Sequence, residues 1–131
     1  MRHAALFVIF MTTAAGCGSP AHPVIGAGCR TASDGILSLA WTVRSQVPSA
    51  ASCATISHLD LYLTPDQCTG SVEISPVDCT LDRFRYDNLP EGGALVELEA
   101  VGPSGALVAQ GTARVTLGPQ VPATPDPLDL E

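Results

Sequence analysis

The sequence predicts an all-β fold, a small antiparallel β-sandwich of about seven strands, and three observations predict it. Apolar residues recur with period two in several short runs, the pattern of strands with one buried face. Gly, Pro, Asn and Asp gather between those runs, with 12 Gly and 11 Pro in 131 residues, and so punctuate the chain at turn spacing. No stretch keeps helical periodicity for more than two turns, Ser49 to Ile56 coming nearest.

From Gly35 onward, Leu37, Leu39, Trp41 and Val43 fall on one face, with Ser38, Ala40 and Thr42 on the other. Leu59, Leu61 and Leu63 then alternate with His58, Asp60 and Tyr62, and Thr64-Pro65-Asp66 closes that run as a turn. Val72 and Ile74 make a short strand stopped at Pro76, since proline cannot donate to a sheet ladder. Cys79 to Tyr86 is the next candidate, carrying Phe84 and Tyr86 on one side and Arg83 and Arg85 on the other. Asn88-Leu89-Pro90-Glu91-Gly92-Gly93 is a turn, and Ala94 to Val101 is apolar apart from Glu97 and Glu99. Gly102-Pro103-Ser104-Gly105 turns the chain into Ala106–Ala109, after which Ala113, Val115 and Leu117 alternate with Thr112, Arg114 and Thr116. The sandwich is therefore expected over residues 34–118. Residues 119–131 hold four prolines and three acids and are expected to form a Pro-rich acidic tail along the surface, with Leu128-Asp129-Leu130 as its one candidate edge strand.

Composition narrows the function classes. Thirteen Asp and Glu face six Arg and no Lys, a formal charge of −7. Nucleic acid is excluded as an expected partner, because its phosphates need a cationic face. A chain of this length gives one domain rather than a multi-domain enzyme. No apolar run reaches the roughly 18 residues that would cross a bilayer.

The N-terminus carries an address. Arg2 and His3 precede the unbroken apolar run Ala4 to Met11, and Thr12-Thr13-Ala14-Ala15-Gly16-Cys17 follows. A short positive start, an apolar centre and small residues before a break mark an export signal. The segment Ala14-Ala15-Gly16-Cys17 resembles the lipobox of bacterial lipoproteins, with Ala14 where Leu is usual. That resemblance implies a signal peptide over residues 1–16 and acylation of Cys17, with attachment to the membrane through the lipid. Residues 17–33, rich in Gly, Ser, Pro and Ala, read as a flexible tether. Gly18 after the acylated position implies the outer membrane of a bacterial cell envelope.

Cysteine parity points the same way. The chain has five cysteines, Cys17, Cys29, Cys53, Cys68 and Cys79. With Cys17 acylated, four remain for two disulfides in an oxidising compartment. Zinc ligands usually come in close pairs, whereas here the last four cysteines are separated by 23, 14 and 10 residues, so no metal is expected. Spacing alone leaves three pairings open; the expected one joins Cys53 with Cys79 and Cys29 with Cys68.

The larger pattern also has a likeness. A lipobox, a strand ending in Trp41-Thr42, Cys53 before a leucine-rich strand, Cys79 and the turn Leu89-Pro90-Glu91-Gly92 together resemble small lipoproteins of high-GC bacteria. The resemblance implies an immunoglobulin-like or transthyretin-like β-sandwich. Within it, Leu89 to Val101 resembles the corresponding stretch of carboxypeptidase-regulatory-like domains, without the aromatic usual in that strand. Such sandwiches host unrelated roles, so the likeness speaks to fold.

The sequence carries no recognisable catalytic constellation. His22 lies in the tether, and His58 alternates away from the leucine face. No Gly-x-Ser-x-Gly elbow, His-Glu-x-x-His pair or phosphate loop occurs, and without lysine there is no Schiff-base chemistry. Asp78, Asp82 and Asp87 lack the spacing of a calcium loop. The expectation is a non-catalytic, cofactor-free, lipid-anchored envelope protein that serves as a binding or scaffolding module for an envelope protein partner. An accessory or inhibitor of an enzyme and a purely structural envelope component are the alternatives. His58, Asp60 and Tyr62, which share a face at strand spacing, are the candidate binding surface.

Overall fold

A computed structural model of the chain describes residues 33–131. The expected signal peptide, most of the tether, and with them Cys17 and Cys29, lie outside the described residues. Eight strands are present among those residues, and no helix. In chain order they are β1 (Gly35–Leu39), β2 (Trp41–Val43), β3 (His58–Pro65), β4 (Val72–Val77), β5 (Phe84–Leu89), β6 (Gly92–Val101), β7 (Leu107–Leu117) and β8 (Leu128–Leu130).

One sheet has the order β4-β3-β6-β7, antiparallel throughout. Opposite it, β1 pairs antiparallel with β5 and β2 pairs parallel with β8. Strands β1 and β2 form one extended run interrupted at Ala40, whose carbonyl accepts from the Leu128 amide at 3.1 Å. The expected all-β sandwich is thus the observed architecture.

Period-two burial explains the two layers. Leu37, Leu39, Trp41 and Val43 from one layer meet Leu59, Leu61 and Leu63 of β3 and Val96 and Leu98 of β6 in a single core. Burying one such leucine stabilises the fold by roughly 1.5–3 kcal/mol. The one polar atom of the Trp41 ring is satisfied inside that core, Nε1 donating to the Cys79 carbonyl at 3.0 Å. Cys53 and Cys79, both buried, are joined by a disulfide. Cys68 is disulfide-bonded as well, to a partner outside the described residues.

Four boundaries differ from the sequence expectation. The largest difference is the C-terminus. Residues 119–127 do run along the surface, exposed or half-buried, and the candidate strand Leu128–Leu130 forms, but that strand lies inside the sandwich, which does not end at 118. Ala123 pairs with Leu37, and β8 places Leu128 and Leu130 in the core at 4% and 0% exposure. Its end also crosses to the other sheet, Gln110 and Glu131 exchanging backbone hydrogen bonds at 3.0 and 3.2 Å. The prolines that argued for a tail fall between the paired positions, where no ladder donor is required. Gly111 permits this closure, because a Cβ there would stand 3.0 Å from the Asp129 carbonyl oxygen.

The remaining differences are local. The fifth strand begins at Phe84 rather than Cys79, because Asp78 accepts from the Thr80 amide and hydroxyl and bends the chain there. Strand β7 runs unbroken through the gap expected between Ala109 and Ala113. Strand β4 continues through Pro76 to Val77, since β4 is an edge of its sheet and the missing donor costs no ladder bond. Ser49 to Ile56 forms turns, with a single helix-type bond from the Cys53 amide to the Ser49 carbonyl.

Candidate functional site

Side chains alternate across a strand, so burying Leu59, Leu61 and Leu63 sends His58, Asp60 and Tyr62 to the outward face of β3. All three are half-buried there. The same parity turns Glu97 and Glu99 outward on β6. Register then sets Asp60 directly opposite Glu99 and Tyr62 directly opposite Glu97, while on the other flank Tyr62 faces Glu73 of β4. Four carboxylates therefore surround one tyrosine on the outer face of the four-stranded sheet.

The register of β3 and β4 shifts between Leu59 and Leu61, which leaves Ser75 and Pro76 as the bulged pair beside Asp60. Bulges re-aim side chains, and here the Ser75 hydroxyl donates to Asp60. His58 Nε2 stands 3.2 Å from the same Asp60 oxygen, Oδ1. That oxygen thus takes contacts from both the histidine and the serine. Nucleophile activation needs the base against the hydroxyl itself, and no such His58–Ser75 contact exists among the described residues. What the arrangement provides is a fixed, hydrogen-bonded negative charge.

Electrostatics across the face are mostly uncompensated. Partial burial raises the Glu99 pKa above its ordinary value of 4.5, and the charges of Glu97 and Asp60 push it the same way. Tyr62 is raised above 10.0 by burial first and then by Glu73, Asp60 and Glu99. Arg114 lies on the same outward face of β7, opposite Leu95, but its guanidinium is held by both oxygens of Asp66 at 2.7 Å. An open hollow of about 380 Å³ adjoins the face at Ser57, His58, Pro76, Val77 and Asp78. No group of three or more His, Cys, Asp or Glu among the described residues is placed to hold a metal ion.

The chain matches no protein-family model, no curated protein and no solved structure at significance. The site therefore has to be read from its own chemistry.

His58, Asp60 and Tyr62 are brought together as the period-two pattern requires. Glu73, Ser75, Glu97 and Glu99 are the members that sequence reading missed. Glu97 and Glu99 were visible as the only charges in an apolar run, but their neighbours depend on strand register, which local pattern does not encode. Ser75 depends on a bulge.

Opposed like charges on adjacent strands destabilise a sheet, by about 0.2–1 kcal/mol per pair. Glu99→Gln is accordingly expected to raise the unfolding free energy at pH 7 by an amount of that order, read as a higher urea midpoint. The pH dependence has a definite shape. A carboxyl whose folded pKa is raised weakens the fold while ionised, so Glu99 relieves its penalty as pH falls toward 4.5. Asp129 and Asp78 are lowered below 3.8 by hydrogen bonds to their carboxylates, so their contribution holds above that value and is lost as pH falls beneath it. Stability is expected to peak in the mildly acidic range and fall below about pH 4. Urea midpoints measured across pH 3–8 should show that rise, and Glu99→Gln should flatten it; an unchanged profile in the variant would contradict the assignment.

Proposed function

We propose that this chain is a non-catalytic binding module of the bacterial cell envelope, anchored by lipid on Cys17 and acting through the outer face of β3, β4 and β6. The observation that carries this reading is the direct opposition of Asp60 and Glu99, with Glu73 and Glu97 flanking Tyr62. A sheet retains opposed carboxylates at a cost to its own stability, and departures of this kind are expected where a sequence answers to function as well as to folding. A protein partner with a basic surface would relieve that repulsion, and Tyr62 offers it a flat apolar contact with a polar end.

Cysteine accounting is compatible with the anchor. Cys53 and Cys79 are paired and Cys68 is bonded outside the described residues, which leaves Cys17 and Cys29 as candidates for one bond. Acylation of Cys17 assigns that bond to Cys29, giving the second disulfide, Cys29–Cys68. Several acyl chains would hold the protein firmly where one would not, and the negative domain would stand away from anionic headgroups.

Intact mass of the natively processed protein tests the anchor. The expected product starts at Cys17, carries acyl mass and alkylates at four thiols only after reduction. A Cys17–Cys68 disulfide would remove the lipoprotein reading. Crosslinking in native membranes tests the face: a partner captured by the natural chain should be lost in salt and in the Glu97→Gln/Glu99→Gln variant. Capture unaffected by both would place binding elsewhere.

A further inference from the structure

We propose that the loops at one end of the sandwich form a second site, separate from the acidic sheet face, that binds a compact carboxylate ligand through Arg44. The site is a hollow of about 190 Å³ between the β2 turn and the 49–55 segment, with Arg44, Gln46, Ser52 and Thr55 as its polar lining and Val43 and Ala54 among its apolar lining.

Both walls are held rigid. The first is a two-residue hairpin turn, closed by Val43 and Gln46 exchanging backbone hydrogen bonds at 2.8 and 2.9 Å. Its central residues Arg44 and Ser45 have φ of 48° and 64°, a left-handed geometry ordinarily given to Asn-Gly. Side chains rarely adopt it unless the surroundings over-determine it. Asp129 does so here, accepting from the Ser45 amide at 2.7 Å, the Ser45 hydroxyl at 3.0 Å and the Thr42 hydroxyl at 2.8 Å. The second wall is fixed by reciprocal hydrogen bonds between Ser49 and Ser52 and by the disulfide of Cys53. A strained turn so clamped holds Arg44 at the mouth of the hollow.

Arg44 also differs from the other arginines of the domain. Arg83 donates to Ser38, Arg85 pairs with Asp87, and Arg114 pairs with Asp66. Arg44 has no ion pair or side-chain hydrogen bond among the described residues, and neither do the Gln46 amide or the Thr55 hydroxyl. In a domain that holds all 13 acids of the chain, these three exposed side chains line one hollow. A guanidinium fork fits a carboxylate through two parallel hydrogen bonds. The hollow has room for about six waters at roughly 30 Å³ each, and the exposed methyl groups of Ala51 and Ala54 on its lining suit a small alkyl group. The ligand class is thus a short carboxylic acid or the free carboxylate end of a small amino-acid residue.

The test is an amide NMR titration of the disulfide-intact chain with N-acetylalanine, beside its neutral amide as control. Saturable shifts are expected at Gln46, Ser52 and Thr55 for the carboxylate, with binding at least about tenfold weaker for the amide. Arg44→Gln should abolish the shifts while the spectrum of β3, β6 and β7 stays superimposable. Arg44→Lys keeps the charge but loses the fork, and should bind more weakly than the natural chain. Absence of saturable shifts, equal binding of the amide, or undiminished binding in both variants would each overturn the proposal.

Discussion

Leu130→Ala is expected to cost about 2–5 kcal/mol of stability, although the residue sits next to the last position of the chain. Leu130 is fully buried, and β8 fills the gap between the two sheets, paired with β2 on one side and bonded to Gln110 of β7 on the other. Truncation there leaves a cavity that neighbouring strands cannot close without losing those pairings. Urea unfolding monitored by Trp41 fluorescence is the measurement, because Trp41 lies opposite Leu128 in the β2–β8 register. A surface tail would give a change within about 0.5 kcal/mol, so a small effect would refute the structural role assigned to β8. Gly111→Val should act in the same direction from the other side, since its side chain would meet the Asp129 carbonyl and Leu130.

The contrast between β8 and the rest of the chain shows which information was local. Leu37 to Val43, Leu59 to Leu63 and Ala94 to Ala100 announce themselves because burial on one face writes period two directly into the sequence. Leu128 and Leu130 follow the same rule and read as a candidate strand, but three residues beside four prolines read as a surface edge rather than as core. Their pairing with Trp41–Val43 joins residues more than eighty positions apart, and no short-range pattern encodes such a contact. The candidate face divides along the same line. His58, Asp60 and Tyr62 share a strand, so their common direction was legible. Their meeting with Glu73, Glu97 and Glu99 was not, because it depends on register across three strands. The Arg44 turn was hidden for another reason: Arg-Ser carries no turn signature, and only Asp129, far along the chain, holds it.

Removing the Cys53–Cys79 disulfide by the Cys53→Ala/Cys79→Ala double substitution is expected to cost about 3.5 kcal/mol on the loop-entropy model, within a usual range of 2–5. The bond spans 26 residues that include all of β3 and β4, and so restricts a large share of the unfolded chain. It also fixes the Cys79 carbonyl that accepts the Trp41 ring nitrogen at 3.0 Å. Alanine rather than serine is the informative replacement, because a hydroxyl at these buried positions would add an unrelated desolvation cost. Two readouts separate the effects. The urea midpoint reports the change in stability, while near-ultraviolet circular dichroism reports whether Trp41 keeps its fixed environment in the folded state. The expected result is a lower midpoint with the tryptophan signal retained under native conditions, since the core leucines around it remain. If the midpoint hardly moves, the fold is carried by its core alone and the loop-entropy account fails for this bond. If the tryptophan signal is lost while the strands persist, the disulfide sets the packing of Trp41 rather than merely constraining the unfolded state. The 49–55 wall beside Arg44 would then lose its anchor, and carboxylate binding there should weaken along with the tryptophan signal.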